Sequence, residues 1–363
     1  MKIVAVGDIM PGGVLAGVNE GYVSKEVKDI LGSADIRVGT LETAIGNEPT
    51  FYEEKMRRKA DVIYAKDADL IKLKDLHIDI VSLANNHFFD LGPEGAVHTI
   101  DLLDSMGIKH VGAGRNLEEA SKPVVINHEG KTVAFLGFCD WREENVGWCP
   151  FATDTQPGVC PMYDDFVIEQ IKSCKSRYDF VVVMPHWGRE YQQAPTHVVY
   201  KLALNMIKAG ADVILGSHTH CVQPVIRKKG VIAFCMGNFL FPDRLITSPR
   251  STYYSETPLD LSSLPVTYAF PDYVETVTLK KWRSMARYGQ IVSVDIAGKK
   301  MDSEYTHLSE NSTVSLAGAT FPYSKRMRMM LLLMQCNLYL PLLWLGRTAI
   351  QLKTKVNKVL HTK

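Results

Sequence analysis

Residues 78–92 read IDIVSLANNHFFDLG, and the order of residue types in them decides the fold. A short apolar run, Ile78–Leu83, stops at Asn85-Asn86-His87, and the amphipathic stretch Glu94–Met106 follows. A short apolar run bounded by turn-forming residues suits a buried strand, and an apolar period near 3.6 in the next segment suits a helix. The unit is a strand, a polar tip and a helix. Outward from it the same unit recurs in both directions. Apolar runs at Ile3–Val6, Ile36–Leu41, Val124–Ile126, Val133–Phe138, Phe180–Met184, Val213–Leu215 and Val231–Met236 predict further strands. Phe166–Cys174 and Val198–Ala209 predict further helices. Such alternation predicts an α/β protein with a substantially parallel sheet.

The chemistry gathers at the strand ends. Asp8 follows the first run, Glu42 closes the second, and Asn86 and His87 follow the third with Asp90 close behind. His186 lies in HWGREY, His218 and His220 in GSHTH, and Asn238 in GNFLFP, each just after an apolar run. In an open α/β sheet ligands bind outside the carboxyl ends of the strands, so these tips would converge. Carboxylate, amide and imidazole together suit Mn²⁺, Zn²⁺ or Fe better than Ca²⁺ or a thiolate site. A carboxylate bridging two such ions would hold them about 3.5–4 Å apart, the spacing of two-metal hydrolysis. Taken singly, each residue has a plainer reading: Asp8 as a turn or cap residue, Asn85-Asn86 as a turn, His186 as a packed imidazole beside Trp187. The pair His218 and His220 resists that reading, because i and i+2 of an extended segment share a face. The joint occurrence at strand ends is what points to a metal centre.

Composition narrows the class. The 363 residues are 46% hydrophobic and 22% charged, which is globular. Lys+Arg number 41 and Asp+Glu 40, so the net charge of +1 gives no push toward nucleic acid. Seven cysteines with no CxxC pair read as reduced intracellular thiols. The apolar run at Ile3–Val6 is too short for the core of a signal peptide, so the expected location is the cytoplasm.

The far end of the chain is less ordinary. Residues 329–346, MMLLLMQCNLYLPLLWLG, carry no charge and are flanked by Lys325, Arg326, Arg328 and Arg347. Gln335, Asn337 and Pro341 interrupt a run already short of the about 20 residues that span a bilayer. Two readings stay open. One is a segment in an anionic membrane surface, with peripheral contact to the inner face through residues 325–347. The other is a hairpin of core or subunit-interface helices broken at Pro341. Between about residues 243 and 281 the sequence turns Ser/Thr/Pro/Tyr-rich and reads as an irregular insertion.

The strings GDIM (7–10), LETA (41–44), LANNHFFDLG (83–92), HWGREY (186–191), GSHTHCVQP (216–224) and GNFLFP (237–242) resemble the CapA family of poly-γ-glutamate capsule biosynthesis proteins, which have a calcineurin-like metallophosphatase fold. The resemblance covers about residues 1–242. It implies a four-layer α/β/β/α sandwich with a dinuclear site for Mn, Fe or Zn, and Asp8, Glu42, Asn86, His186, His218 and His220 as metal ligands. It also implies His87 as the acid near the leaving group, with Asp90 orienting it. Arg189, in HWGREY, could add positive charge at the substrate.

The resemblance divides the chain into a CapA-like domain over 1–300 and a C-terminal helical segment over 301–363. The implied activity is phosphoester hydrolysis by a metal-activated water, linked to capsule or exopolymer synthesis. The alternatives are a non-catalytic, metal-stabilised component of a membrane-associated polymer-assembly complex, and a γ-glutamyl amide hydrolase. The implied partners are a small-molecule or polymer substrate and polymer-synthesis proteins. The sequence departs from the wider pattern at Met10, where metallophosphatases carry His, at Thr40, where Asn is usual, and at Thr219, where Pro is common.

Overall fold

The computed structural model describes the chain except residues 48–49, 58–60, 141, 143–148, 249–250, 270–272, 298–299, 319–320, 323, 340 and 343–363. Its main strands are β1 (Lys2–Ile9), β2 (Ile36–Leu41), β3 (Ile80–Ser82), β4 (Lys109–Val111), β5 (Val124–His128), β6 (Lys131–Cys139), β7 (Phe180–His186) and β8 (Val213–Leu215). They continue with β9 (Val225–Arg227), β10 (Val231–Ala233), β11 (Asn238–Leu240), β12 (Arg244–Thr247), β13 (Thr278–Lys280), β14 (Tyr288–Asp295), β15 (Lys300–Leu308) and β16 (Val314–Leu316). The main helices are α1 (Lys25–Gly32), α2 (Gly92–Met106), α3 (Asp164–Lys175), α4 (His197–Ala209) and α5 (Ser324–Gln335).

Two sheets result. One runs β16-β15-β14-β1-β2-β3-β4, with β11 also paired to β1, and the other runs β9-β10-β8-β7-β6-β5. The period-2 alternation of the strands explains how they stack. Ile3 and Ala5 of β1 point one way, into a core shared with Phe135 of β6, Val182 of β7 and Val213 of β8. Val4 and Val6 point the other way, into a core with Val27 and Leu31 of α1 and Ile100 and Leu103 of α2. On the second sheet Ala134, Leu136, Val181 and Val183 face Val167 and Ile171 of α3 and Ala203 and Met206 of α4. The order is helices, sheet, sheet, helices. This is the four-layer sandwich of the calcineurin-like type.

The β1 strand shows how the sequence shapes the site. Its residues Lys2–Ala5 pair antiparallel with β14, while Asp8 and Ile9 pair with Asn238 and Leu240 of β11. The register shifts around Asp8 on both sides, a bulge of the kind that re-aims a side chain. Gly7 makes the close approach possible: a Cβ there would lie 1.8 Å from the carbonyl oxygen of Gly237. That same oxygen accepts the Asp8 N–H at 2.9 Å.

β15 begins at Lys300 and pairs with β14 from Asp295↔Lys300 to Tyr288↔His307, and β16 adds to it, so the first sheet continues through residue 316. The sequence does not announce these strands, because KMDSEYTHL lies on a half-exposed sheet flank and carries no apolar run. The insertion is also more ordered than expected. β12 and β13 pair antiparallel within it, with two-residue strands at Ser251–Thr252 and Val266–Thr267 on either side.

α5 packs one face onto the domain. Met327 and Met330 meet Val222 and Phe321, and Met334 and Tyr339 join the outer core of the second sheet. Its other face stays open, with Met329 58% and Leu332 54% exposed. Among the described residues no helix is long and apolar enough to cross a membrane. Trp344 and Arg347 lie outside the described residues. All seven cysteines are free thiols, six of them buried.

Candidate metal centre

Asp8, Glu42, Asn86, His186, His218 and His220 come from five strand ends of both sheets and meet in one buried cluster. His186 Nε2 lies 2.8 Å from Asn86 Oδ1, 3.0 Å from His218 Nδ1 and 3.5 Å from Glu42 Oε1. His220 Nδ1 lies 3.7 Å from Asp8 Oδ2 and 3.7 Å from Glu42 Oε2. Two groups able to hold an ion follow, Glu42–His186–His218 and Asp8–Glu42–His220, and Glu42 belongs to both.

Several contacts fix the donor atoms in place. Ser217 Oγ is 2.9 Å from His186 Nδ1, which leaves Nε2 turned to the cluster. The GSHTH turn holds His218 at φ 94° and His220 at φ 51°, left-handed conformations that side chains other than glycine adopt at a cost. Trp187 anchors the neighbouring loop by donating from Nε1 to the Phe234 carbonyl at 2.7 Å.

The donor set fits divalent metal. Asp8 Oδ1, both Glu42 carboxylate oxygens and His218 Nε2 are buried without a hydrogen bond. Protein interiors rarely leave such atoms unsatisfied, and the 3.0 Å approach of His186 Nε2 to His218 Nδ1 brings two further donor atoms to the same point. Ligand atoms about 2.0–2.2 Å from one ion necessarily lie this close to one another. Burial pushes the Asp8 carboxyl up to about 8, and burial with the Asp8 charge pushes Glu42 well above the carboxylate range. Burial with neighbouring imidazoles holds His186 and His220 well below their ordinary value, and His218 down at about 3. The imidazoles are therefore in the neutral, ligating form.

The carboxyls carry the pH dependence. A cation must displace the proton that burial holds on Asp8 up to about 8, and the one held on Glu42, raised well above the ordinary carboxylate range. The rise in melting temperature that Mn²⁺ gives the chelated protein is expected to be larger at pH 8 than at pH 6. An equal or smaller rise at pH 8 would take these carboxyls out of the ligand set.

Beside the cluster stands His87. Its Nδ1 is 2.8 Å from Asp90 Oδ2, and its backbone N–H donates to Asn85 Oδ1 at 3.0 Å. Asp90 also accepts the Ile63 N–H and pairs with Lys55, whose Nζ reaches the Asn86 carbonyl at 2.7 Å. Burial lowers the His87 pKa, with Asp90 opposing and Lys55 assisting. Arg189 behaves differently from the other expected site residues. Its side chain is exposed, on the loop between His186 and Tyr191. The cations buried near the cluster are Lys55, Arg244 and Lys280.

Some of the site goes beyond the expected set. Asn238 Oδ1 meets His220 Nδ1 at 2.9 Å, and its Nδ2 donates to the Ala286 carbonyl at 2.9 Å, which orients the amide. Its place at a strand end is the available signal. Lys55 has none, since FYEEKMRRKA reads as a solvated charged helix. The Trp282 ring, 4.8 Å from that of His220, comes from beyond the insertion.

A four-layer α/β/β/α sandwich with a shared carboxylate and imidazoles at its strand ends is a calcineurin-like fold with a buried cluster able to hold metal. Within that class the chain belongs to the family described as bacterial capsule synthesis protein PGA_cap, whose model matches residues 2–243. It is 34% identical over 254 residues to the capsule biosynthesis protein CapA of Bacillus anthracis, covering 66% of this chain and 60% of that one. Against the PGA biosynthesis protein CapA of Bacillus subtilis (strain 168) the identity is 32% over 243 residues, 65% of this chain and 62% of that one. The matches thus span about three fifths of those relatives' lengths. Among solved structures, a putative 5'-nucleotidase from Staphylococcus aureus in complex with alpha-ketoglutarate superposes with TM-score 0.41 at 11% identity, covering 91% of this chain and 58% of that one.

Proposed function

We propose that the chain is a metal-dependent hydrolase that cleaves a phosphoester in capsule or exopolymer synthesis. The observation that supports this most is Glu42, a buried carboxylate common to two metal-type groups with neither oxygen hydrogen-bonded. Bound there, divalent ions would polarise the scissile bond and activate a water. A donor set of carboxylate, amide and imidazole without thiolate suits Mn, Fe or Zn.

The chain's own groups do the rest. The Asn86 amide spans the gap between His186 and the segment that carries His87. Asp90 engages His87 at Nδ1, so Nε2 is the nitrogen left for the leaving oxygen; it donates there when the ring is protonated, a state that Asp90 favours and burial opposes. Lys55 neutralises Asp90 and ties the Asn86 backbone to it, which keeps His87 beside the cluster. Burial of the whole arrangement excludes water from the reacting groups.

A second substrate for a water activated in the same way is the γ-glutamyl amide of a polymer, the relatives being named for capsule and PGA biosynthesis. An assay with Mn²⁺ separates the two. The full-length protein should release phosphate from members of a panel of phosphomonoesters and phosphodiesters. Amine release from oligo-γ-glutamate without phosphate release would move the chemistry to the amide. Release of neither by metal-loaded protein would overturn the hydrolase reading and leave the metal a structural role.

A further inference from the structure

His220 Nδ1 is met by three oxygens. Asn238 Oδ1 lies 2.9 Å away, and Asp8 Oδ2 and Glu42 Oε2 each lie 3.7 Å away. One imidazole N–H serves one acceptor, so a proton on that nitrogen leaves two buried carboxylates unanswered. The ring is held in this attitude, edge-on to Phe241 at 5.5 Å and 4.8 Å from the Trp282 ring. A divalent cation among the four atoms answers all of them at once.

The fold aims Asn238 as firmly as it aims Asp8. The two are direct partners in the parallel pairing of β1 and β11, and partnered residues of neighbouring strands point to the same side of a sheet. Asn238 is 1% exposed. Its Nδ2 donates to the Ala286 carbonyl at 2.9 Å, so turning the amide round would set two carbonyl oxygens together. Oδ1 is thereby fixed on the cluster side. Gly289 of β14 closes on the backbone here, where a Cβ would lie 2.1 Å from the Asn238 carbonyl oxygen. The side chains that flank Asp8 and Glu42 are engaged elsewhere. Met10 Sδ accepts the Gly12 N–H at 3.3 Å, and Thr43 Oγ1 donates to the Ala44 carbonyl at 3.0 Å.

We propose that Asn238 is a metal ligand, completing a second four-donor set with Asp8, Glu42 and His220. That role presupposes the metal reading of the cluster but not hydrolysis. The first group, Glu42–His186–His218, has an amide oxygen 2.8 Å from an imidazole nitrogen, that of Asn86. The second, Asp8–Glu42–His220, has the Asn238 oxygen in the same relation at 2.9 Å. Each position then has the shared carboxylate and one amide. They differ in the other two donors, a pair of imidazoles in the first and one carboxylate with one imidazole in the second. The second is the more oxygen-rich position, the type that suits Mn²⁺, and the first suits Zn²⁺ or Fe.

Calorimetric titration of the full chain with Mn²⁺ after chelation, with electron paramagnetic resonance of the loaded sample, tests the ligand without requiring turnover. Wild type is expected to take up two ions whose spins couple through Glu42. Asn238→Ala should weaken the second ion more than about 100-fold, beyond the about 10–100-fold that losing an outer-shell partner costs, and give the spectrum of an uncoupled ion. Asn238→Asp keeps an oxygen in the same place and should retain both ions and their coupling. In a crystal of the Mn²⁺-loaded wild type, Asn238 Oδ1 should stand about 2.0–2.2 Å from an ion. That distance decides the question where neither variant folds. A second ion held by Asn238→Ala within about 100-fold of wild type overturns the ligand. So does a folded Asn238→Asp variant that loses the coupled pair, or a wild type that takes up no second ion. A wild type that binds both ions through Asn238 yet hydrolyses nothing overturns the hydrolase reading and leaves the ligand standing.

Discussion

Replacing His87 with alanine is expected to leave the metal content of the protein unchanged and to lower turnover about 10²–10⁴-fold. The side chain stands beside the cluster but outside both metal-type groups, and its Nδ1 is committed to Asp90 at 2.8 Å. What alanine removes is the imidazole, and with it the Nε2 that donates to the leaving oxygen when the ring is protonated. The loss should depend on the leaving group. Aryl phosphates with acidic phenols depart without protonation and should lose least, whereas alkyl phosphates should lose most. Phosphate release is the readout, with metal analysis on the same sample. Asp90→Asn should give a smaller loss, because it disturbs the orientation of His87 and leaves the ring in place. It also leaves the Lys55 cation buried without its carboxylate, so its melting temperature should fall where that of His87→Ala does not. Loss of metal from His87→Ala would make the residue part of the binding site and end its assignment as an acid.

The six ligand-type residues are legible in the sequence because each ends an apolar run, and runs of that kind become adjacent strands whose tips face one way. His186 and Asn86, 100 residues apart in the chain, meet at 2.8 Å for that reason alone. Nothing local announces the contact; the topology makes it. The bulge at Asp8 and the pair of close glycines at 7 and 237 are likewise beyond a reading of single residues, since the need for glycine at Gly7 comes from a carbonyl of a distant strand.

Lys55 illustrates the opposite limit. In sequence it belongs to a run of charges, and only the fold shows it buried against Asp90. β15 is silent in the sequence because a strand on a half-exposed flank needs no apolar run. Arg244 and Lys280 sit in a segment whose composition suggests irregular structure, and their register across β12 and β13 is invisible until the strands pair. Local patterns carry the layers and the tips. Long-range pairing carries the polar groups that surround them.

Glu42→Gln should remove both ions, whereas Asp8→Asn or His220→Ala should remove one and weaken the other. The reason is that Glu42 alone belongs to both groups. An amide offers one weak oxygen donor where the carboxylate offers two charged ones, and even a change in an outer-shell partner costs about 10–100-fold in metal affinity. Metal analysis after purification without chelator reads the effect directly, and turnover should fall with metal content.

Stability supplies an independent check, because the expected sign reverses when metal is removed. In chelated protein Glu42 is a buried carboxyl pressed against Asp8 with its pKa raised. A carboxyl whose folded pKa exceeds the unfolded one stabilises the fold fully below the unfolded value and loses that contribution as pH rises through the folded value. Glutamine carries no such charge, so chelated Glu42→Gln should melt above chelated wild type, and the gap should widen from pH 5 to pH 8. Added Mn²⁺ should then raise the wild type and leave the variant almost unmoved, so the order inverts. A chelated variant that melts well below wild type at every pH would show that Glu42 holds the fold together by contacts unrelated to metal, and the shared-carboxylate centre would fall with it.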